Sequence, residues 1–272
     1  MRKSNGELEA YFLALFLAAT AVQLLSGCSS RPAPLYSPPP VSTAPAVKPG
    51  AKVSEQGLNC MLGPRTVVHE VGPLETVWRL SKMYDVPIDD IYRANCLQPG
   101  ASIKVGQKLV IPNAKDLRNV VGLYPSKKWK YIIIHHTATD VGNAILIHKT
   151  HHDRGFWYGL GYHFLIDNGT LGKGDGQIEQ SPRWIKQMDG AHCKAGGMNS
   201  RAIGIALVGN FNKDAPTRKQ MQSLEYLLKL LCQYYQIPTS NIVGHQNVDG
   251  AATDCPGKRF PWSNLRQCLS KP

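Results

Sequence analysis

The chain has 272 residues, which is enough for more than one domain, and it carries a formal net charge of +12. A basic chain favours anionic partners such as cell-wall polymer, acidic phospholipid or nucleic acid, and charge alone does not choose among them. The basic residues are scattered, and the only dense cluster is Lys127-Lys128-Trp129-Lys130. We therefore expect no nucleic-acid partner.

Residues 1–27 have the pattern of an export signal. A basic start precedes a mostly apolar run over 10–25, which is short for a bilayer-spanning helix and has the length of a signal-peptide core. The Leu-Ser-Gly-Cys sequence that ends at Cys28 resembles the processing site of bacterial lipoproteins. That resemblance implies cleavage, acylation of Cys28 and, with Ser29 next in the chain, a lipid anchor at the periplasmic face of an outer membrane. An uncleaved membrane anchor is the alternative.

Residues 28–63 are expected to form a linker. The stretch over 28–50 is rich in Ser, Pro and Ala, and it cannot bury enough apolar surface to fold. Proline makes such a segment extended and stiff. We expect it to hold the folded part of the chain away from the membrane.

Residues 64–114 are predicted to form a small domain with the order β-α-α-β. A strand is predicted at each end, and apolar residues at helical spacing lie between the two strands. The Glu75–Trp78 segment and the closing Gly-Gln-Lys-Leu-Val-Ile-Pro over 106–112 resemble a LysM module. This resemblance implies binding to glycans that contain N-acetylglucosamine, although Leu74 stands where such modules often have glycine. A helical spacer without a ligand is the alternative.

A second linker is expected at 115–126, and residues 127–272 then alternate predicted strands and helices. Strands are predicted at 131–135, 162–167, 203–208 and 241–244. Thr217 and Gln220 have the spacing of a capping box, which predicts the start of a long amphipathic helix. We expect an α/β fold with a mixed central sheet flanked by helices.

Three residues of this segment, His135, His245 and Cys255, form a candidate metal site. Each histidine follows a short β-branched apolar run that predicts a buried strand, and Cys255 lies ten positions beyond His245. Two imidazoles and a thiolate are ligands that catalytic zinc sites use, with the fourth tetrahedral position left to water. Two unrelated histidines and a structural thiol are the alternative.

Four segments around these residues occur in order. They are Ile134–Thr139, Gly161–Ile166, Ile203–Phe211 and Thr253–Gly257. Together they resemble the signature of zinc N-acetylmuramoyl-L-alanine amidases, a family shared with peptidoglycan-recognition proteins and short phage amidases. The resemblance implies that Zn²⁺ is bound by His135, His245 and Cys255. It also implies hydrolysis, by zinc-activated water, of the amide between N-acetylmuramic acid and L-alanine of the stem peptide.

The same resemblance implies roles for neighbouring residues. Tyr162 matches a catalytic tyrosine that faces the reacting water or the oxyanion, and Thr253 occupies a catalytic position where relatives carry lysine or threonine. His192 matches a histidine at the edge of the site and is expected to contact substrate. His136 is expected to pack and not to bind metal, because neighbouring residues on a strand point to opposite faces. The general base stays open between Tyr162 and the activated water itself.

Export accounts for the seven cysteines, because disulfides persist outside the cytosol. Two cysteines are assigned above, one to lipid and one to zinc. We expect the bridges Cys60–Cys96 and Cys232–Cys268, each within one domain, with Cys193 left over. Five cysteines also permit other pairings.

Two other functions are compatible with these motifs. A protein with this fold could bind peptidoglycan without cutting it, but relatives that lost catalysis typically lack the metal cysteine, and Cys255 is present. A LysM module with a lipid anchor could also act only as a tether between membrane and wall. Because tether and enzyme are compatible, we expect an enzyme whose partners are peptidoglycan and the membrane that holds its lipid.

Overall fold

The computed structural model describes residues 52–270, apart from the side chains of 59–62 and 116. The predicted signal segment, Cys28 and the first part of the predicted linker lie outside the described residues. All described residues belong to one of the two units into which the chain divides, Val41–Pro272. Within residues 52–270, none of the helices has the length and apolar character needed to cross a membrane.

The N-terminal domain has the predicted β-α-α-β order. Its elements are β1 (Lys52–Glu70), α1 (Val77–Tyr84), α2 (Ile88–Ala94) and β2 (Lys108–Leu123). β1 and β2 pair antiparallel, and Leu80, Ile91 and Ile111 are completely buried in one apolar cluster. Leu74, at the position where glycine is common, has a φ of 59°. This left-handed conformation costs a residue with a side chain roughly 1–2 kcal/mol.

β1 and β2 extend into segments for which the sequence predicts linkers. Lys52 pairs with Leu123, and pairing continues to Cys60 opposite Asp116. The start of β1, Lys-Val-Ser-Glu-Gln-Gly, has too little apolar alternation to predict a strand. The two domains are therefore joined by a paired ladder at the place where a flexible connection is expected.

A five-stranded mixed sheet with the order β5-β4-β6-β3-β7 forms the centre of the C-terminal domain. Its strands are β3 (Tyr131–His136), β4 (Phe164–Asn168), β5 (Asp175–Gln180), β6 (Ala202–Leu207) and β7 (Ile242–Gly244). Neighbouring strands are parallel except β4 and β5. Four strands lie close to their predicted positions, and β5 was not predicted.

Helices complete the predicted α/β architecture. They are α3 (Ala144–Asp153), α4 (Pro182–Ile185), α5 (Arg218–Tyr235) and α6 (Trp262–Ser270). The predicted capping box of α5 is confirmed, because Thr217 Oγ1 accepts the N–H of Gln220 and Gln220 Oε1 accepts the N–H of Thr217, each at 3.0 Å. Four leucines of α5 are completely buried in the same apolar cluster as β3, β4 and β6 residues. A mixed sheet flanked by helices is thus confirmed.

The predicted disulfides are absent among the described side chains. Cys96, Cys193, Cys232 and Cys268 are free thiols, and the side chain of Cys60 lies outside the described part. Cys232 packs against the main apolar cluster, and burial raises the pKa of its thiol to about 11. A protonated thiol in such surroundings behaves as a small apolar side chain. Because Cys96, Cys232 and Cys268 are free, the Cys60–Cys96 and Cys232–Cys268 predictions are both wrong.

Side chains of the N-terminal domain satisfy backbone groups along β5, which is an edge strand. Asn119 accepts the N–H of Ile178 at 2.7 Å and donates to the carbonyl of Gly176 at 3.2 Å. Arg79 Nη2 donates to the carbonyl of Ile178 at 3.1 Å. An edge strand without such partners presents free N–H and C=O groups that invite pairing with other chains. The N-terminal domain therefore protects the edge of the central sheet.

A buried ion pair lies at the same junction. Lys173 Nζ is 3.1 Å from Glu179 Oε2, and the two side chains are only 2% and 3% exposed. The same Nζ donates to the carbonyl of Glu70 at 3.1 Å. Burial, followed by the charge of Glu179, raises the pKa of the buried Asp167, and Lys173 opposes that shift. Lys173 is thus a cation that compensates buried acids where the two domains meet.

Replacing Lys173 with methionine is expected to lower the free energy of unfolding by about 3–5 kcal/mol, because Glu179 would remain buried and unpaired. Lys229→Met is the matched control, since Lys229 pairs with Glu225 at 3.1 Å with side chains 46% and 32% exposed. Exposed pairs of this kind contribute about 0–1 kcal/mol. Urea unfolding at one pH measures both variants, and equal losses would contradict the role of Lys173.

Candidate metal centre

The parallel pairing of β3 with β7 brings two predicted ligands together. The register places Ile134 opposite Gly244, so the next residues, His135 and His245, emerge side by side where the two strands end. Their ring centroids are 4.7 Å apart. β7 stops at this point because the chain enters a 3₁₀ turn over 245–247.

The third predicted ligand, Cys255, reaches the same place from a loop. The N–H of Gln246, which follows His245, donates to the carbonyl of Cys255 at 2.7 Å. The N–H of His136 donates to Cys255 Sγ at 3.3 Å. Thr253 Oγ1 accepts the N–H of Cys255 at 3.2 Å. These bonds tie the cysteine loop both to β3 and to the turn after β7.

The three ligand atoms have a spacing that fits zinc. Those of His135, His245 and Cys255 all lie within 4.8 Å of one another. His135 Nδ1 is 3.6 Å from Cys255 Sγ, and tetrahedral zinc with bonds of about 2.1 Å to nitrogen and about 2.3 Å to sulfur separates these atoms by about 3.6 Å. His135 and Cys255 are buried, whereas His245 is partly exposed. The donor set and the spacing therefore fit a zinc ion.

Burial sets the protonation of these ligands in the absence of metal. It lowers the pKa of His135 well below the usual range, so this imidazole is neutral, as metal binding requires. Burial also raises the pKa of Cys255 to about 12. The thiol must therefore lose its proton when a metal ion binds.

The structure brings Tyr162 and Thr253 next to the ligands. Tyr162 is half-buried, and its ring centroid is 5.1 Å from that of His135. Burial, followed by the charge of Cys255, raises the pKa of the Tyr162 hydroxyl. Thr253 is exposed, and its oxygen accepts the N–H of Cys255 while its hydroxyl hydrogen is left to donate. Both hydroxyls can therefore act as neutral donors.

His192 lies beneath the ligands and has no free ring nitrogen. It is 8% exposed, with Nδ1 at 3.0 Å from His135 Nε2 and Nε2 at 3.3 Å from the carbonyl oxygen of Ala202. This placement gives the predicted substrate contact no support. His136 turns to the other side, where its Nδ1 accepts the N–H of Phe211 at 3.1 Å. Its predicted packing role agrees with this position.

Two histidines of α3 hold the loop that leads to Tyr162, a role that the sequence did not predict. His151 Nδ1 accepts the N–H of Gly161 at 3.0 Å, and His148 Nδ1 accepts the N–H of Leu160 at 3.3 Å. The ring of His151 also lies 5.5 Å from that of Tyr162, between centroids. Their separation by three positions, which places both on one helical face, was the available signal.

His151, which holds the loop before Tyr162, makes the stability of the folded protein depend on pH. Burial, followed by the charges of Arg154 and Arg183, lowers the pKa of His151 from 6.5 to about 4. A lowered pKa in the folded state contributes stability that is complete above pH 6.5 and is lost as the pH falls towards 4. We expect His151→Asn, whose Oδ1 replaces the Nδ1 acceptor without titrating, to lose less stability across this window. Thermal unfolding at a series of pH values measures the difference, and identical profiles would contradict the assignment.

Comparison with known proteins places the chain in a family. Residues 125–258 match the family described as N-acetylmuramoyl-L-alanine amidase, and residues 69–112 match the LysM domain. Peptidoglycan-recognition protein 2 of Holotrichia diomphalia is 33% identical over 143 residues, which cover 49% of this chain and 70% of the relative. Peptidoglycan-recognition protein SC2 of Drosophila melanogaster is 33% identical over 145 residues, 50% of this chain and 72% of the relative.

A solved structure from a bacterium is also similar. The endolysin N-acetylmuramoyl-L-alanine amidase LysCS from Clostridium intestinale URNW is 35% identical, and the match covers 52% of this chain and 84% of that one with a TM-score of 0.45. The amidase match over 125–258 includes all four ordered motifs. The chain therefore belongs to the N-acetylmuramoyl-L-alanine amidase family that includes the peptidoglycan-recognition proteins, and it carries a LysM domain before the amidase domain.

Proposed function

We propose that this protein is a zinc-dependent amidase that hydrolyses the bond between N-acetylmuramic acid and L-alanine of the peptidoglycan stem peptide. The observation that carries the proposal is the convergence of His135, His245 and Cys255, with an Nδ1–Sγ distance that fits tetrahedral zinc. Family membership supports the substrate class, and the LysM domain supports peptidoglycan as the partner.

An amide resists attack by neutral water, so the site must activate a nucleophile and stabilise an oxyanion. When bound, zinc supplies a Lewis acid for both purposes. His135, His245 and Cys255 would hold the ion. A thiolate carries a full negative charge where a third histidine would be neutral, so we expect this chain to depend on hydroxyl donors as well.

Tyr162 has the position and the protonation state of an oxyanion donor. It stands beside His135, and a phenol with an ordinary pKa of about 10 already keeps its proton at neutral pH. Donation to the carbonyl oxygen as negative charge develops there is worth about 10²–10³ in rate. Thr253 offers a second hydroxyl, which is neutral where a lysine would be cationic.

Incubation of the protein with purified peptidoglycan sacculi tests the proposed reaction. We expect release of free stem peptides from an intact glycan, loss of release with a zinc chelator, and recovery when zinc is added back. Retention on the sacculi without release would support recognition without cleavage and would contradict the amidase.

Two variants distinguish, in the same assay, the loss of the metal ion from the loss of the Tyr162 hydrogen-bond donor. Cys255→Ser is expected to lose zinc and activity together, whereas Tyr162→Phe is expected to keep zinc and to lose about 10²–10³ in kcat. Cys268→Ser is the matched control, since Cys268 is a free thiol on α6 outside the ligand group. Wild-type turnover by the Cys255→Ser variant would contradict the proposed zinc-dependent reaction.

We propose also that lipid on Cys28 anchors the protein at the periplasmic face of an outer membrane. This proposal rests on the signal pattern and the cysteine box of the sequence. One acyl chain binds membranes only marginally, so firm anchoring requires the several chains that lipoprotein processing adds. Cys28→Ser is expected to move the protein from the membrane fraction to the soluble fraction. An unchanged distribution would contradict the anchor.

A further inference from the structure

The ligand His135 makes a hydrogen bond on the side opposite to the metal position. Its Nδ1 faces Cys255 Sγ at 3.6 Å, and its Nε2 is 3.0 Å from Nδ1 of His192. A nitrogen that binds a metal must present a lone pair, so the hydrogen of this imidazole belongs on Nε2. His135 is therefore the donor in this bond, and His192 Nδ1 is the acceptor.

The carbonyl group of Ala202 fixes the direction of the hydrogen bond that it makes with His192. His192 Nε2 is 3.3 Å from the carbonyl oxygen of Ala202, and a carbonyl oxygen can only accept. His192 must then carry its hydrogen on Nε2, which leaves Nδ1 free to accept from His135. Ala202 begins β6 and pairs with Tyr131 of β3, the strand that carries His135. The sequence of bonds from Ala202 through His192 to His135 is called the relay below.

The imidazole of His192 occupies a slot formed by two glycines. An added Cβ at Gly190 would lie 2.3 Å from His192 Cδ2, and one at Gly204 would lie 2.5 Å from the same atom. Asn199 Oδ1 accepts the backbone N–H of His192 at 2.9 Å and that of Cys193 at 2.8 Å. The backbone and the ring are thus held separately, and both ring nitrogens are occupied. Each ring nitrogen of His192 therefore has a partner within the protein.

We propose that His192 is a positioning residue for the metal centre. Through the relay it fixes the tautomer and the ring orientation of His135, so that Nδ1 is presented to the ion. The inference deepens the proposed function, on which it rests for the identity of the metal. Removing such a partner from a metal-binding histidine typically lowers metal affinity 10–100-fold.

Two substitutions of nearly equal shape test this role. In His192→Asn the Oδ1 atom takes the place of Nδ1 and still accepts from His135, whereas His192→Leu has no acceptor. We expect zinc affinity, measured by competition with a chelator, to fall about 10–100-fold in the leucine variant and to stay within about threefold in the asparagine variant. His152→Leu is the control, because this imidazole is 63% exposed on α3. Wild-type affinity in His192→Leu, or equal losses in both His192 variants, would overturn the proposal.

Gly204→Ala tests the slot without removing either imidazole. The new Cβ would displace the His192 ring, and we expect the loss of zinc affinity to match that of His192→Leu. Unchanged affinity in this variant, with the protein folded, would count against the relay.

Nitrogen-15 NMR of the imidazoles reads the tautomers in the wild-type protein and needs no variant to fold. We expect both His135 and His192 to carry hydrogen on Nε2, with and without zinc. A hydrogen on His192 Nδ1 would overturn the relay even in a protein that binds zinc. A protein that shows the expected tautomers and binds no zinc would instead contradict the proposed function.

Discussion

The parallel register of β3 against β7 decides where metal ligands can meet in this chain. With Ile134 opposite Gly244, the two histidines that follow are neighbours at one end of the sheet. Because side chains alternate between the faces of a strand, a slip of one residue would turn one imidazole away from the other. Cys255 joins them only because its loop bonds to both strand ends. The relay begins at Ala202 on the neighbouring strand β6. The pairing of the strands therefore also determines the positions of the candidate ligands.

Strong local signals explain what the sequence predicted correctly. The β-branched runs before His135 and His245 predict the two strands that carry them, of which β3 is almost wholly buried and β7 partly. The capping box at Thr217 fixes the start of α5. The order of the motifs then indicates which cysteine joins the two histidines. β5 was missed because its sequence, Asp-Gly-Gln-Ile-Glu-Gln, is polar. Its buried polar side chains have partners in distant segments: Glu179 accepts the N–H of Ala144 and Gln180 donates to the carbonyl of Val120. No local pattern reveals such partners.

Local sequence patterns also fail to reveal the partners of residues in the candidate site. The type of residue at 192 was recognised, but its role depends on a bond to His135, which is 57 positions away, and on the space left by two glycines, which no local pattern reveals. Likewise, the outer half of β1 carries few apolar residues, and its partner strand β2 makes contacts with the larger domain, such as those of Asn119. The N-terminal domain therefore helps to stabilise the central sheet. The prediction of a linker at 115–126 does not indicate this role.

The proposed zinc centre differs from one built only of nitrogen and oxygen donors because Cys255 would supply a sulfur ligand. X-ray absorption spectroscopy at the zinc edge of the purified protein tests this claim most directly. We expect one zinc per chain with one sulfur at about 2.3 Å, two imidazole nitrogens at about 2.0–2.1 Å and a fourth, lighter atom. A zinc shell without sulfur, or protein purified without stoichiometric zinc, would contradict the proposed centre.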